Sequence, residues 1–102
     1  MNVTEINDSN IEEVIKSSNK VVIDCYADWC GPCKMLSPVV DEAASEVRNV
    51  KFCKINADNN AKTTEKYEIM SIPTILFFEN GQLKDKTVGF KSKEEIIKHI
   101  GE

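Results

Sequence analysis

Val21-Val22-Ile23-Asp24-Cys25-Tyr26-Ala27-Asp28-Trp29-Cys30-Gly31-Pro32-Cys33 is the stretch on which the architecture turns. Its first residues are β-branched and almost continuously apolar, with Asp24 as the one charged interruption. A strand of that composition is buried on both faces, as a strand inside a parallel sheet must be. Beyond the two cysteines the period changes. Met35, Leu36, Val39, Val40, Ala43, Ala44 and Val47 recur at helical spacing, so a buried strand passes into a helix with Cys30 and Cys33 at the junction. Pro38 lies inside that helical pattern. It cannot donate to the carbonyl of Lys34, which predicts a kink rather than a stop.

Working outward from this unit, Asp8-Ser9-Asn10 offers N-cap oxygens to a helix with Ile11, Val14 and Ile15 on its apolar face, ending near Asn19. Downstream, residues 50–57 read as a strand and residues 61–67 as a short helix. Thr74-Ile75-Leu76-Phe77-Phe78-Glu79 and residues 83–88 flank Asn80-Gly81, a hairpin signal because both turn residues tolerate positive φ. Ser92 can cap a last helix carrying Ile96, Ile97 and Ile100. Strand–helix–strand units followed by a hairpin and a closing helix make an α/β sandwich, a central mixed sheet with helices on both faces. With 102 residues and no repeat or linker, residues 1–102 are expected to form one domain.

Composition narrows the function. Thirteen basic residues against seventeen acidic ones give a net charge of −4, which argues against nucleic acid or an anionic membrane as a partner. The first eight residues have neither a basic nor an apolar leader region, and no apolar run approaches a membrane span. The expected location is therefore the cytoplasm, where structural disulfides are rare. Four cysteines in that compartment point to metal binding or redox chemistry.

Cysteine spacing separates those two possibilities. A structural zinc site wants four ligands, usually as two close pairs. Cys25 and Cys53 lie far apart, each inside a predicted strand, and the single His99 is near the C-terminus, so no metal is expected. In the redox reading each residue of the pair's segment has a physical reason. Cys30 sits where the helix begins, and unpaired N–H groups there favour a thiolate. Cys33 follows one turn later, close enough for a small disulfide ring. Gly31 permits the tight turn, and Pro32 suits the first helical turn, where its missing N–H costs nothing. Cys30 would then attack a substrate disulfide and Cys33 release the reduced product.

These residues closely resemble the thioredoxin family. The run from Asp24 to Lys34 matches that family's active-site segment, Pro38 its helix kink, and Ile72-Pro73-Thr74 its cis-proline loop. Asn80-Gly81 and Val88-Gly89 also fall where the family has them, so the resemblance runs from about Val3 to the C-terminus. Tyr26 stands where many members have tryptophan, and Ser71 where glycine is frequent; neither change touches the redox pair. The resemblance implies the thioredoxin fold, a central five-stranded mixed sheet flanked by four helices in a three-layer sandwich.

Roles for further residues follow from the same resemblance. Asp24, buried behind the cysteines, helps deprotonate Cys33 through a water; burial would raise its pKa and suit it to proton transfer. Lys54, which shares a strand face with Phe52, stands beside that aspartate, although an ordinary surface lysine fits the pattern too. Ile72–Pro73 is cis, and its backbone receives an extended substrate segment. Trp29, Gly31, Pro32, Ile72, Pro73, Val88 and Gly89 form a flat, weakly apolar docking surface. The implied activity is general protein-disulfide reduction by a monomer without a cofactor of its own, recycled by a thioredoxin reductase and serving disulfide-containing clients. A disulfide oxidase or isomerase is the neighbouring alternative, and a binding module without turnover the more distant one.

Overall fold

The computed structural model describes residues 2–101. Ten elements follow one another: β1 (Val3–Ile6), α1 (Ile11–Ile15), β2 (Lys20–Tyr26), α2 (Gly31–Glu46), β3 (Lys51–Asn56), a 3-10 turn (Ala57–Asn59), α3 (Ala61–Lys66), β4 (Thr74–Glu79), β5 (Gln82–Val88) and α4 (Lys93–Ile100). The strands form one five-stranded sheet in the order β1-β3-β2-β4-β5. β1, β3 and β2 are mutually parallel, and β4 and β5 continue the sheet antiparallel. This is the fold expected from the resemblance, with β2 in the middle.

Alternation along β2 and β3 explains the layers. Val21, Ile23 and Cys25 point with Cys53, Ile55 and Leu76 toward α1 and the segment after α3, where Ile11, Ile15, Tyr67 and Ile69 cover them. Val22, Phe52, Ile75 and Phe77 point the other way, against Leu36, Val40 and Ala43 of α2 and Ile96 and Ile100 of α4. Both faces of the sheet are thereby dry, which is why the central strand reads as a continuous apolar run. Asp24 belongs to the α2 side.

The local signals at the C-terminal half hold. Asn80 and Gly81 adopt φ of 53° and 82°, the paired left-handed residues of a tight hairpin. Ser92 and Glu95 form a reciprocal capping box at the start of α4. α2 runs through Pro38 without stopping.

One expectation near the N-terminus is corrected. Helix α1 ends at Ile15 rather than near Asn19, and no side chain caps it. Asp8 caps a different helix. Its carboxylate accepts the N–H groups of Thr63 and Lys62 at 3.0 Å and 3.2 Å, at the start of α3. The fifth strand of the expected sheet is β1, which the local pattern did not distinguish and which adds to the edge of β3.

Candidate active site

The centre of the site is the passage from β2 into α2. Cys30 is the N-cap of α2, with extended backbone (φ −92°, ψ 111°), and its Sγ accepts the Cys33 N–H at 3.2 Å. Pro32 occupies the first turn, where no intrahelical donor is required. Cys33 lies in the same turn, its Cα 5.2 Å from that of Cys30, and the two sulfurs are joined as a disulfide. No acidic residue stands in the first turn to offset the positive end of the helix. Exposure does not distinguish the two cysteines, at 4% for Cys30 and 3% for Cys33. Helix position does, because Cys30 is the N-cap and its sulfur accepts a first-turn N–H.

Behind the disulfide, Asp24 is 3% exposed and lines a pocket of about 380 Å³ together with Cys33, Lys34, Ser37, Tyr26 and Lys54. Its Oδ1 has no hydrogen-bond partner among the described residues. Burial pushes its pKa up to about 7, against the opposing pull of Lys54; Asp41 and Glu5 add to the rise. The carboxyl is thus poised to take up or release a proton near neutrality, beside Cys33. Lys54 lies opposite Asp24 in the β2–β3 register, as the shared-face reading expects. Its ammonium, however, sits over the Tyr26 ring, 6.0 Å from the centroid, and its effect on Asp24 is through space.

The expected docking residues come from four places in the fold. Trp29 is 71% exposed and Val88 53%, while Gly31 and Pro32 form the exposed start of α2. Ile72 packs beside Cys30 and Cys33, and the Ile72–Pro73 peptide is cis. The Gly89 N–H donates to the Pro73 carbonyl at 2.8 Å, which ties the end of β5 to the proline loop. Gly89 has a φ of +91° and there fits the left-handed region best.

Some neighbours were not singled out in the sequence. Asp58, on the 3-10 turn, accepts the Trp29 indole N–H at 2.8 Å and so fixes the plane of an exposed aromatic ring. The Asn56-Ala57-Asp58 turn that presents it carries a local signal, since the Asn56 side chain accepts the Asp58 N–H at 2.9 Å. Glu5 accepts a hydrogen bond from Tyr26, a contact visible only once β1 is placed in the sheet. Cys25 and Cys53 belong to the opposite sheet face, both fully buried and unpaired. Burial raises both thiols, Cys53 to about 11. Among the described residues no group of three His, Cys, Asp or Glu side chains gathers as a metal site, and no helix is long and apolar enough to cross a membrane.

A disulfide that closes the first turn of a helix, at the end of the central strand of a mixed sheet, is the centre of a thiol–disulfide oxidoreductase. The comparisons agree. The thioredoxin family model matches residues 2–102. A thioredoxin of Rickettsia typhi is 45% identical over 100 residues, which cover 97% of this chain and 93% of that one. One of Mycoplasma pneumoniae is 44% identical, covering 98% and 99%. The oxidised crystal structure of mitochondrial thioredoxin 3 from Saccharomyces cerevisiae superposes with a TM-score of 0.89 at 32% identity, covering 96% of this chain and 92% of that one. The chain belongs to the thioredoxin family.

Proposed function

We propose that this protein is a general protein-disulfide reductase in which Cys30 attacks and Cys33 resolves. The Cys30 thiolate displaces one sulfur of a client disulfide and forms a mixed disulfide. Cys33, deprotonated with Asp24 as acceptor through a water, then attacks the Cys30 sulfur. The second client thiolate leaves, and Cys30–Cys33 becomes the disulfide; two electrons have passed to the client. Lys54 moderates the proton affinity of Asp24 without neutralising it. Trp29, Gly31, Pro32, Val88 and Gly89 offer the client a flat surface, and the backbone at Ile72 and Pro73 pairs with an extended segment beside its disulfide. A thioredoxin reductase restores the dithiol. The protein needs no cofactor of its own and works in the cytoplasm as a single-domain monomer.

The observation that carries this reading is the Cys30 sulfur accepting the Cys33 N–H in the first turn of α2 while Cys33 borders the Asp24 pocket. One end of the pair is suited to exist as a thiolate, the other to receive a base. The test is capture of clients on single-cysteine variants. Cys33→Ser is expected to retain clients as mixed disulfides through Cys30, and Cys30→Ser to retain none. Adducts on Cys33 alone, located by mass spectrometry, would reverse the assignment.

A further inference from the structure

Glu5, Lys54 and Asp24 stand opposite one another on β1, β3 and β2, three neighbouring parallel strands. They form one row of charges across the sheet face that also carries α2. Exposure falls along the row: Glu5 is exposed, Lys54 half-buried and Asp24 buried. One cation therefore stands between two carboxylates. With strands about 4.8 Å apart, both charges act on Asp24, and the outer carboxylate opposes there the pull of the cation between them.

The outer carboxylate is held in place. The Tyr26 phenol, two residues along β2 from Asp24, donates to the Glu5 carboxylate, with distances of 2.9 Å and 3.0 Å to its two oxygens. Lys54 lies over the same ring. Among the described residues Lys54 makes no direct ion pair with either carboxylate. Tyr26 thus anchors Glu5 at the rim and gives Lys54 a resting place off Asp24.

We propose that Glu5 tunes the proton acceptor from the rim of the row: anchored by Tyr26, its charge offsets that of Lys54 at Asp24. The inference rests on the reading of Asp24 as that acceptor. The other ionisable groups facing Asp24 are Cys33, Lys34 and Asp41 from α2 and Asp28 from the loop after β2, whereas β4 places the apolar Ile75 opposite it. Asp41 acts in the same direction as Glu5, and Lys54 opposes both. Neither Asp41 nor the loop residue stands in the row with Lys54, so only Glu5 faces it from the strand beyond.

Glu5→Gln removes the outer charge and leaves Lys54 unopposed across the sheet, which favours the ionised inner carboxylate. The experiment follows the Asp24 carboxyl carbon by NMR against pH in the oxidised protein, where no thiol titrates beside it. Its midpoint is expected to fall by roughly half a pH unit in Glu5→Gln, about a threefold change in the ratio of ionised to protonated form. The pH profile of mixed-disulfide resolution should move by the same amount. Tyr26→Phe should lower the midpoint by less, and should add nothing to Glu5→Gln, because Tyr26 acts through Glu5. Glu13→Gln, on an exposed part of α1, should leave it in place. A midpoint near neutrality that Glu5→Gln does not move would overturn the inference and spare Asp24 as acceptor. A midpoint in the ordinary carboxylate range in the unaltered protein would overturn both.

Discussion

Replacing Asp24 by asparagine keeps the shape of the side chain and removes its ionisation. In the folded protein the carboxyl is raised from 3.8 to about 7, chiefly by burial. A raised folded value means that the fold favours the protonated form. The stability tied to protonation is present in full below the unfolded value of about 3.9 and is lost as pH rises through about 7. At about 1.4 kcal/mol per pH unit, the full span amounts to about 4 kcal/mol at pH 8. Asparagine forfeits none of it, but its polar amide must also be buried in the pocket, so a net gain of about 2–3 kcal/mol is expected. For a domain of this size that corresponds to roughly 10–20 °C in Tm. The assay is urea unfolding of the oxidised Asp24→Asn and parent proteins at pH 5, 7 and 8.5. The advantage of the variant should be under about half its final size at pH 5 and level off above pH 8. An equal difference at pH 5 and 8.5 would mean that Asp24 is not a protonatable buried group, and the proton-transfer role would fall with it. Resolution of mixed disulfides should slow in the same variant, more than the initial attack does.

Two further outcomes test the packing. Asp8→Ala removes the cap of α3 and should lower the midpoint of urea unfolding, with no effect on disulfide reduction; an unchanged midpoint would mean that the Asp8–Thr63 contacts contribute nothing. Cys25 and Cys53, two residues out of register on adjacent strands and fully buried, should react with iodoacetamide only as fast as the protein unfolds, and should not pair with each other. Rapid labelling of either in the native protein would contradict their place in the core.

Much of this architecture is legible in the sequence because the decisive features are local. The apolar run around Asp24 demands a strand covered on both sides, Cys30 and Pro32 mark a helix start, and Asn80-Gly81 fixes the hairpin. Non-local features escape such a reading. β1 has only four residues, Val3–Ile6, too few for alternation to stand out, and it is a strand because the edge of β3 accepts it. Asp8 looks like a cap for the helix that follows it, yet its oxygens meet Thr63, far along the chain, at the start of α3. Lys54 illustrates the same limit within the site. Alternation puts it on the face of Asp24, but where its ammonium rests depends on Tyr26 and Glu5, and so on a strand the local pattern does not reveal.

The central claim is that the Cys30–Cys33 couple donates electrons to client disulfides, and its equilibrium with glutathione tests that most directly. The oxidised protein is equilibrated with buffers of increasing reduced-to-oxidised glutathione ratio, the thiols are trapped in acid, and the dithiol fraction is counted by mass after alkylation. A reductant's couple lies well below the glutathione pool, so the disulfide should persist in buffers dominated by reduced glutathione. Complete conversion to the dithiol at a modest ratio would place the couple above that pool. The protein would then be an oxidant or isomerase rather than a reductase.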